Sequence, residues 1–378
     1  MFTKSQLTNQ INMYDIIVIG GGLAGLISSI QLSRDGKKVL LIEKKKYPFH
    51  RVCGEYISNE TRPFLTSIGL DFSKLGVKEI TKFQFTSPSG RALETDLDLG
   101  GFGVSRYKID SVLYQLAKSV GVTFLLENTV ESVDFEIDKF NVKTSFEAFE
   151  SKYVIGTFGK RTKLDATLQR DFFNKRSPYI GVKYHIKTNF PKDLIALHNF
   201  KDGYCGISAI EDDKYCLCYL TTRENLRQHG TISEMERNIL WKNPHLQKIF
   251  TESEFLYDKP EVINEISFAP KTTIENHILM AGDSAGLITP LCGNGMAMAI
   301  HGAKLLSDSI LQNFNNRDLV EKTYQHAWKK NFKQRLWIGR NVQKLFGNEV
   351  VSEIALSTMK TIKPLLRTVI KATHGKVF

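Results

Sequence analysis

The stretch Tyr14-Asp15-Ile16-Ile17-Val18-Ile19-Gly20-Gly21-Gly22-Leu23-Ala24-Gly25 decides how this chain folds. Tyr14–Ile19 is a short apolar, β-rich run, the pattern of a strand buried on both faces. After the glycines, Leu26–Asp35 reads as a helix ended by Gly36, and Lys38–Ile42 reads as a second strand that stops at Glu43. Strand, glycine turn, helix and strand within about 30 residues make one βαβ unit. In such a unit Gly20 permits a tight turn, Gly22 lets the backbone approach a pyrophosphate, and Gly25 lets helix pack on strand. Leu23 and Ala24, within the glycine motif, are expected at the cofactor, and the helix N-terminus that follows offers free N–H groups and a partial positive charge to the phosphates. Glu43 stands where an acid accepts hydrogen bonds from a ribose diol.

Outward from that unit, Thr81–Val104 reads as short strands about a Pro88-Ser89-Gly90 turn, and Ile109–Ser119 as an amphipathic helix. Val122–Leu126, Val130–Ile137, Phe140–Phe149 and Tyr153–Gly156 read as strands, and strands dominate Tyr179–Leu220. Leu226–Trp241 and His245–Glu252 read as helices, Ile278–Ala281 as a strand and Gly295–Asn313 as a long helix. This order predicts an α/β protein whose nucleotide-binding segments are interleaved with a β-rich second domain. Residues 14–80, 104–165 and 266–315 are assigned to the first, residues 81–103 and 166–265 to a substrate domain, and residues 316–378 to a C-terminal basic helical segment.

Composition limits the class. The chain has 378 residues, 42% hydrophobic and 24% charged, which excludes a disordered, collagen-like or disulfide-scaffold protein. Its 51 Lys+Arg against 40 Asp+Glu give a net charge of +11. From Lys322 to Phe378 there are 12 Lys/Arg and only two acids, Glu349 and Glu353, so the body of the protein is nearly neutral. The five cysteines, Cys53, Cys205, Cys216, Cys218 and Cys292, are odd in number and form no C-x-x-C pair, which fits a reducing cytosol. Met1–Asn12 is polar, without the apolar core of a signal peptide, and glycines interrupt both of the most apolar stretches. The expectation is a cytoplasmic protein, with contact at the inner face of a membrane left open. The nine histidines show no H-x-H or H-E-x-x-H spacing, and no metal is expected.

A second motif bears on the cofactor. Ile278-Leu-Met-Ala-Gly282-Asp283-Ser-Ala-Gly286-Leu-Ile-Thr-Pro290-Leu-Cys-Gly293-Asn294-Gly295-Met296 resembles the G-D-x-x-G…P-x-x-G-x-G segment of flavin-dependent hydroxylases, halogenases and geranylgeranyl reductases. The resemblance extends over about residues 14–315 and implies FAD, held by a Rossmann-like domain interleaved with a β-sheet substrate domain. It implies that Gly282 and Asp283 reach the ribityl chain and that Pro290, Gly293, Asn294, Gly295 and Met296 surround the ring. Lys44, Val130 and Gly159 are further contacts on the same grounds. Arg51-Val52-Cys53-Gly54-Glu55 resembles the K/R-x-C-G-E segment of the reductases and related monooxygenases, so Arg51, Cys53 and Gly54 are expected at the flavin. Arg106 matches the R-x-x-x-D-x-x-L helix start of these flavoproteins.

The departures are informative too. Gly156-Thr-Phe158-Gly159 has Phe158 where flavin hydroxylases carry an Asp, so NAD(P)H and a separate reductase are both open as the electron donor. The W-x-W-x-I-P signature of tryptophan halogenases is absent, and the reductases' Y-x-W-x-F-P motif is reduced to Gly203-Tyr204-Cys-Gly206-Ile-Ser208. Catalytic candidates are Cys53, Glu55 and His185, with bland roles favoured: Cys53 packing beside the ring and His185 hydrogen-bonded within the fold. The expected activity is monooxygenation of a hydrophobic aromatic, polyketide or lipid-like substrate. The alternatives are a flavin reductase of prenyl or lipid double bonds and a non-catalytic flavin-binding protein. The basic tail suggests an anionic membrane or an acyl carrier protein as partner, and no nucleic-acid motif accompanies it.

Overall fold

The computed structural model describes residues 12–289, 293–343, 349–361, 368, 370–372 and 374–378. Pro290 and Cys292 lie outside the described residues, as do Lys344, Lys363 and Arg367 of the basic tail.

The glycine turn sits at the centre of the first sheet. Strand Asn12–Ile19 pairs in parallel with Val39–Glu43 on one side and Ala148–Gly156 on the other. Thr123–Leu126 extends the sheet beyond the former and Ile278–Met280 beyond the latter, both in parallel. Ile16, Ile17 and Val18 are fully buried, as a strand covered on both faces requires. Helix Leu23–Arg34 begins three residues before the apolar periodicity announced it, directly after Gly22. Helices Arg106–Ser119 and Gly295–Asn313 pack against it.

The second sheet orders its strands Glu254–Phe255, Tyr179–Lys187, Tyr215–Thr222, Gly203–Ala209, Leu194–Phe200, Lys78–Thr86, Ala92–Gly103 and Tyr56–Ser58. Short helices Arg223–His229, Ile232–Asn238 and Pro244–Glu252 cover its outer face through Leu226, Met235 and Leu246, with Leu240 from the turn between the last two. Its other face turns toward the glycine-rich segments of the first sheet. Tyr56–Ser58, which follows the Cys53-Gly54-Glu55 segment, pairs with Ala92–Gly103 and so carries that segment from one sheet to the other.

Two elements read as continuous are broken for local reasons. Phe140–Phe149 divides at Ser145–Glu147, where Thr144 Oγ1 accepts from the Glu147 N–H at 3.1 Å and turns the chain. Leu226–Trp241 divides at Gly230, whose φ of +77° ends one helix before Thr231 caps the next. The C-terminal segment is no loose tail. In helix Arg317–Gln343, Val320, Tyr324, Trp328, Phe332 and Leu336 recur every fourth residue and join the main core.

Candidate flavin and substrate site

The glycine loop is held from several sides. Glu43 is buried at the end of its strand and accepts from the Gly21 N–H at 2.7 Å and the Lys45 N–H at 3.1 Å. The Gly21 carbonyl accepts from Tyr47 Oη at 2.5 Å and from Arg51 Nη2 at 3.1 Å. Burial and the nearby Glu43 carboxylate push the Tyr47 phenol far above its ordinary range, so it remains a donor. A Cβ on Gly25 would lie 2.0 Å from the Gly20 carbonyl oxygen, which explains the third glycine as a packing requirement. Thr157 Oγ1 donates to the same carbonyl at 2.6 Å.

Gly22 differs. A Cβ there would meet only Arg106 Nη2, at 3.7 Å, and Gly22 caps its helix without a side-chain hydrogen bond. The helix N-terminus is thus left open, as an anion site needs. Arg106 projects beside it. Asp110, buried one turn on, receives Arg106 Nε at 2.9 Å, Arg106 Nη2 at 2.8 Å and Arg51 Nε at 3.0 Å. Burial acts against the Arg106 charge, but Asp110 outweighs it and holds the guanidinium firmly protonated. One carboxylate therefore presents two arginines at the glycine loop, the complement of a pyrophosphate.

The other nucleotide segments meet the first at the strand ends. Ser284 Oγ accepts from the Gly159 N–H at 2.9 Å. Lys271 Nζ donates to the Lys160 carbonyl at 2.7 Å and the Asp283 carbonyl at 2.8 Å. Burial pulls Lys271 down to about 8, with Asp283 acting in the opposite direction. The Asp283 carboxylate is half-buried and makes no hydrogen bond among the described residues. A Cβ on Gly54 or on Gly159 would meet nothing within 4 Å. Gly293 takes a φ of +61° ahead of helix Gly295–Asn313, and Asn294 and Met296 are buried at that helix's start. An open helix N-terminus with two arginines, a carboxylate free to accept a hydroxyl and a glycine-walled opening fit a dinucleotide with a polyol and a flat ring. Of the other contacts named from the sequence, Lys44 is exposed and Val130 is buried at the start of its strand.

Glu55, Lys183 and His185 form the link between the sheets. Lys183 and His185 alternate onto the inner face of Tyr179–Lys187, across from Cys218 and Cys216. Lys183 Nζ lies 2.5 Å from Glu55 Oε1, His185 Nε2 lies 2.7 Å from Glu55 Oε2, and the Arg106 N–H donates to Glu55 Oε1 at 2.9 Å. Burial alone would raise the Glu55 pKa, but the Lys183 ammonium and the His185 hydrogen bond bring it down to about 2. Burial likewise opposes the Lys183 charge, and Glu55 lifts it to about 12. Lys183 also donates to the Arg51 carbonyl at 3.1 Å, Cys216 Sγ to the Cys53 carbonyl at 3.2 Å and Ser208 Oγ to the Gly54 carbonyl at 3.4 Å. The Arg51–Glu55 segment is therefore fastened to the substrate sheet at four residues, leaving Gly54 exposed and Cys53 half-buried. Glu55, His185 and Cys216 bring ligand atoms within 4.8 Å of one another, but the cation among them is Lys183.

Along the same sheet face the lining turns apolar. Phe85, Leu197, Tyr204 and Leu220 cluster with Leu287 of the Asp283 loop and Leu356 of helix Glu349–Thr361. That helix is pinned by Glu353, which accepts from Arg91 Nη1 at 3.2 Å and the Ser89 N–H at 3.2 Å.

Fold and site together define a flavoprotein with a buried apolar cluster beside its cofactor cradle. The chain matches the FAD binding domain family over residues 13–330 and belongs to it. It is an FAD-dependent oxidoreductase by family. Conditioned medium factor receptor 1 of Dictyostelium discoideum is 25% identical over 360 residues, covering 85% of this chain and 68% of that protein. Digeranylgeranylglycerophospholipid reductase of Methanocaldococcus jannaschii is 23% identical, covering 84% of this chain and 83% of the relative. The flavin-dependent brominase Bmp2 superposes with a TM-score of 0.80 at 18% identity, covering 97% of this chain and 94% of that structure.

Sequence reasoning named the glycines, Asp283, the two arginines and the Arg51–Glu55 segment. It missed Lys183 and Lys271, single lysines in strand and loop with no motif around them, and Thr157, which sits inside a quoted segment. Asp110 was visible only as a motif letter; its grip on both arginines is a tertiary fact.

Proposed function

We propose that the chain is a flavin-dependent monooxygenase of a hydrophobic substrate bound between the second sheet and the Asp283 loop. The observation that carries this reading is the apolar cluster of Phe85, Leu197, Tyr204, Leu220, Leu287 and Leu356, which packs the substrate sheet against the Asp283 loop beside the glycine-walled cofactor cradle. When bound, reduced FAD would supply the electrons, either to dioxygen or as a hydride. The protein's own residues do the rest. Gly22, Arg51 and Arg106 hold the pyrophosphate and Asp283 a ribityl hydroxyl. The N-terminus of Gly295–Asn313 offers N–H groups to negative charge on the ring. The apolar walls exclude water, which protects a reactive oxygen species from wasteful breakdown. Glu55, held ionised by Lys183, positions the Cys53–Gly54 edge and is not available as a proton donor near neutral pH.

The second reading, reduction of a prenyl or lipid double bond, is favoured by the likeness to digeranylgeranylglycerophospholipid reductase along most of the chain. Turnover with dithionite-reduced enzyme separates the two. Substrate conversion that stops without oxygen supports monooxygenation; undiminished anaerobic conversion overturns it in favour of the reductase. A folded protein that takes up no FAD would defeat both.

A further inference from the structure

Helix Arg317–Gln343 has two opposite ridges, and among the described residues only one is packed into the fold. The inner ridge of Val320, Tyr324, Trp328, Phe332 and Leu336 is buried. On the other side lie Lys322, His326, Lys329, Lys330, Lys333 and Trp337, all exposed, with Arg340 half-buried at the end of the row. Their spacing of three and four residues puts them on a single helical face. Lys322 to Arg340 spans about 27 Å at 1.5 Å per residue. Between Lys322 and Gln343 the sequence contains no Asp or Glu. None of Lys322, Lys329, Lys330, Lys333 and Arg340 makes an ion pair among the described residues. Arg335, the other cation of this helix in that span, turns inward to Glu60 at 3.5 Å. Within the row Trp337 is 62% exposed, an unusual position for the largest apolar side chain.

We propose that this outer ridge is a docking surface for an anionic lipid bilayer. A straight row of cations with no ion-pair partner among the described residues complements a plane of negative headgroups. Four of the five are lysines, flexible point charges that are depleted at protein–protein interfaces, where arginine is preferred. Trp337 stands in line with them, and an indole suits the boundary between headgroup and acyl chain. No described helix is long and apolar enough to cross a membrane, so the contact is peripheral.

The position of the ridge gives it a purpose. The buried side of the same helix rests on the cofactor loop. A Cβ on Gly286 would lie 3.2 Å from Trp328 and 3.4 Å from Leu336, and Thr289 Oγ1 donates to the Gly339 carbonyl at 3.2 Å. A bilayer against the outer ridge therefore sits about one helix diameter, roughly 10 Å, from the loop whose Leu287 joins the apolar cluster. Substrate delivery from that bilayer rests on the function proposed above; binding to the bilayer does not.

The test is flotation of the full chain with vesicles of phosphatidylcholine alone and of phosphatidylcholine mixed with phosphatidylglycerol. Binding should require phosphatidylglycerol and weaken steeply with salt. Each lysine in the headgroup field contributes about a fivefold factor, so K329Q/K330Q/K333Q should lower the partition coefficient on the order of 100-fold. These side chains are exposed, so FAD content and thermal unfolding should stay unchanged. Trp337→Ala should cause a smaller, salt-insensitive loss. Equal binding to both vesicle types, unaltered binding of the triple variant, or capture by immobilised acyl carrier protein without any vesicle binding would each overturn the proposal. Vesicle binding is read without turnover, so failure of the monooxygenase reading would leave its outcome untouched.

Discussion

Breaking the Glu55–Lys183 pair tests whether the Arg51–Glu55 segment is held by a buried charge. Both groups are essentially fully buried, at 0% and 2% side-chain exposure. Lys183 is lifted from 10.5 to about 12, roughly 2 kcal/mol at about 1.4 kcal/mol per unit. Glu55 falls from 4.5 to about 2, roughly 3 kcal/mol on the same scale. Both figures are net of the burial penalty that opposes each charge, and the Glu55 figure also includes the His185 hydrogen bond. Removing one partner strands the other charge, and such changes cost about 3–5 kcal/mol. Glu55→Gln and Lys183→Met should each lose about 3 kcal/mol in urea unfolding. The double variant should fall short of their sum by about 1–3 kcal/mol, the range for groups in direct contact. Additivity within about 0.5 kcal/mol would refute the coupling. The pH dependence follows with opposite signs at the two ends. Glu55's contribution is complete above its unfolded value of 4.5 and is lost as pH falls toward about 2. That of Lys183 is complete below 10.5 and is lost as pH rises toward about 12.

Three further outcomes are expected. Gly22→Ala meets no protein atom closer than 3.7 Å, so it should leave thermal unfolding within about 0.5 kcal/mol while weakening FAD binding at least tenfold in a flavin titration. Asp110→Asn removes the charge that presents Arg51 and Arg106; it should destabilise by about 2–4 kcal/mol and weaken FAD binding, with Asp110→Glu recovering part of both. Lys271 is depressed by burial from 10.5 to about 8, so the unfolded chain binds the extra proton between those values; stability should rise with pH across that window, and Lys271→Met should abolish the rise.

These predictions fall mostly on residues the sequence did not single out, and the reason is physical. The glycine loop was legible because each glycine answers a local demand: a turn at Gly20, an open approach at Gly22, a close contact at Gly25. The helix Gly295–Asn313 was legible to the residue, since Gly293 and the apolar periodicity mark its start and length. Glu43 was named for a ribose, yet in the fold it also braces Gly21. Glu55 was named for its nearness to the flavin, yet both its oxygens are committed to Lys183, His185 and a helix N–H. A carboxylate's partners come from strands over a hundred residues away, and no spacing rule reports them.

By itself, the sequence determined the βαβ unit, the FAD motifs and the concentration of positive charge after residue 321, because these depend on neighbours a few positions apart. Only the tertiary structure decided which way that charge faces. Helical geometry sent Tyr324, Trp328 and Phe332 into the core beneath the cofactor loop and Lys322, Lys329, Lys330 and Lys333 to the opposite face. It also decided that Lys183, from a distant strand, is the cation that pins the Cys53–Gly54 segment. A buried charge must be matched by whatever the fold brings to it, and that pairing is a property of the folded chain.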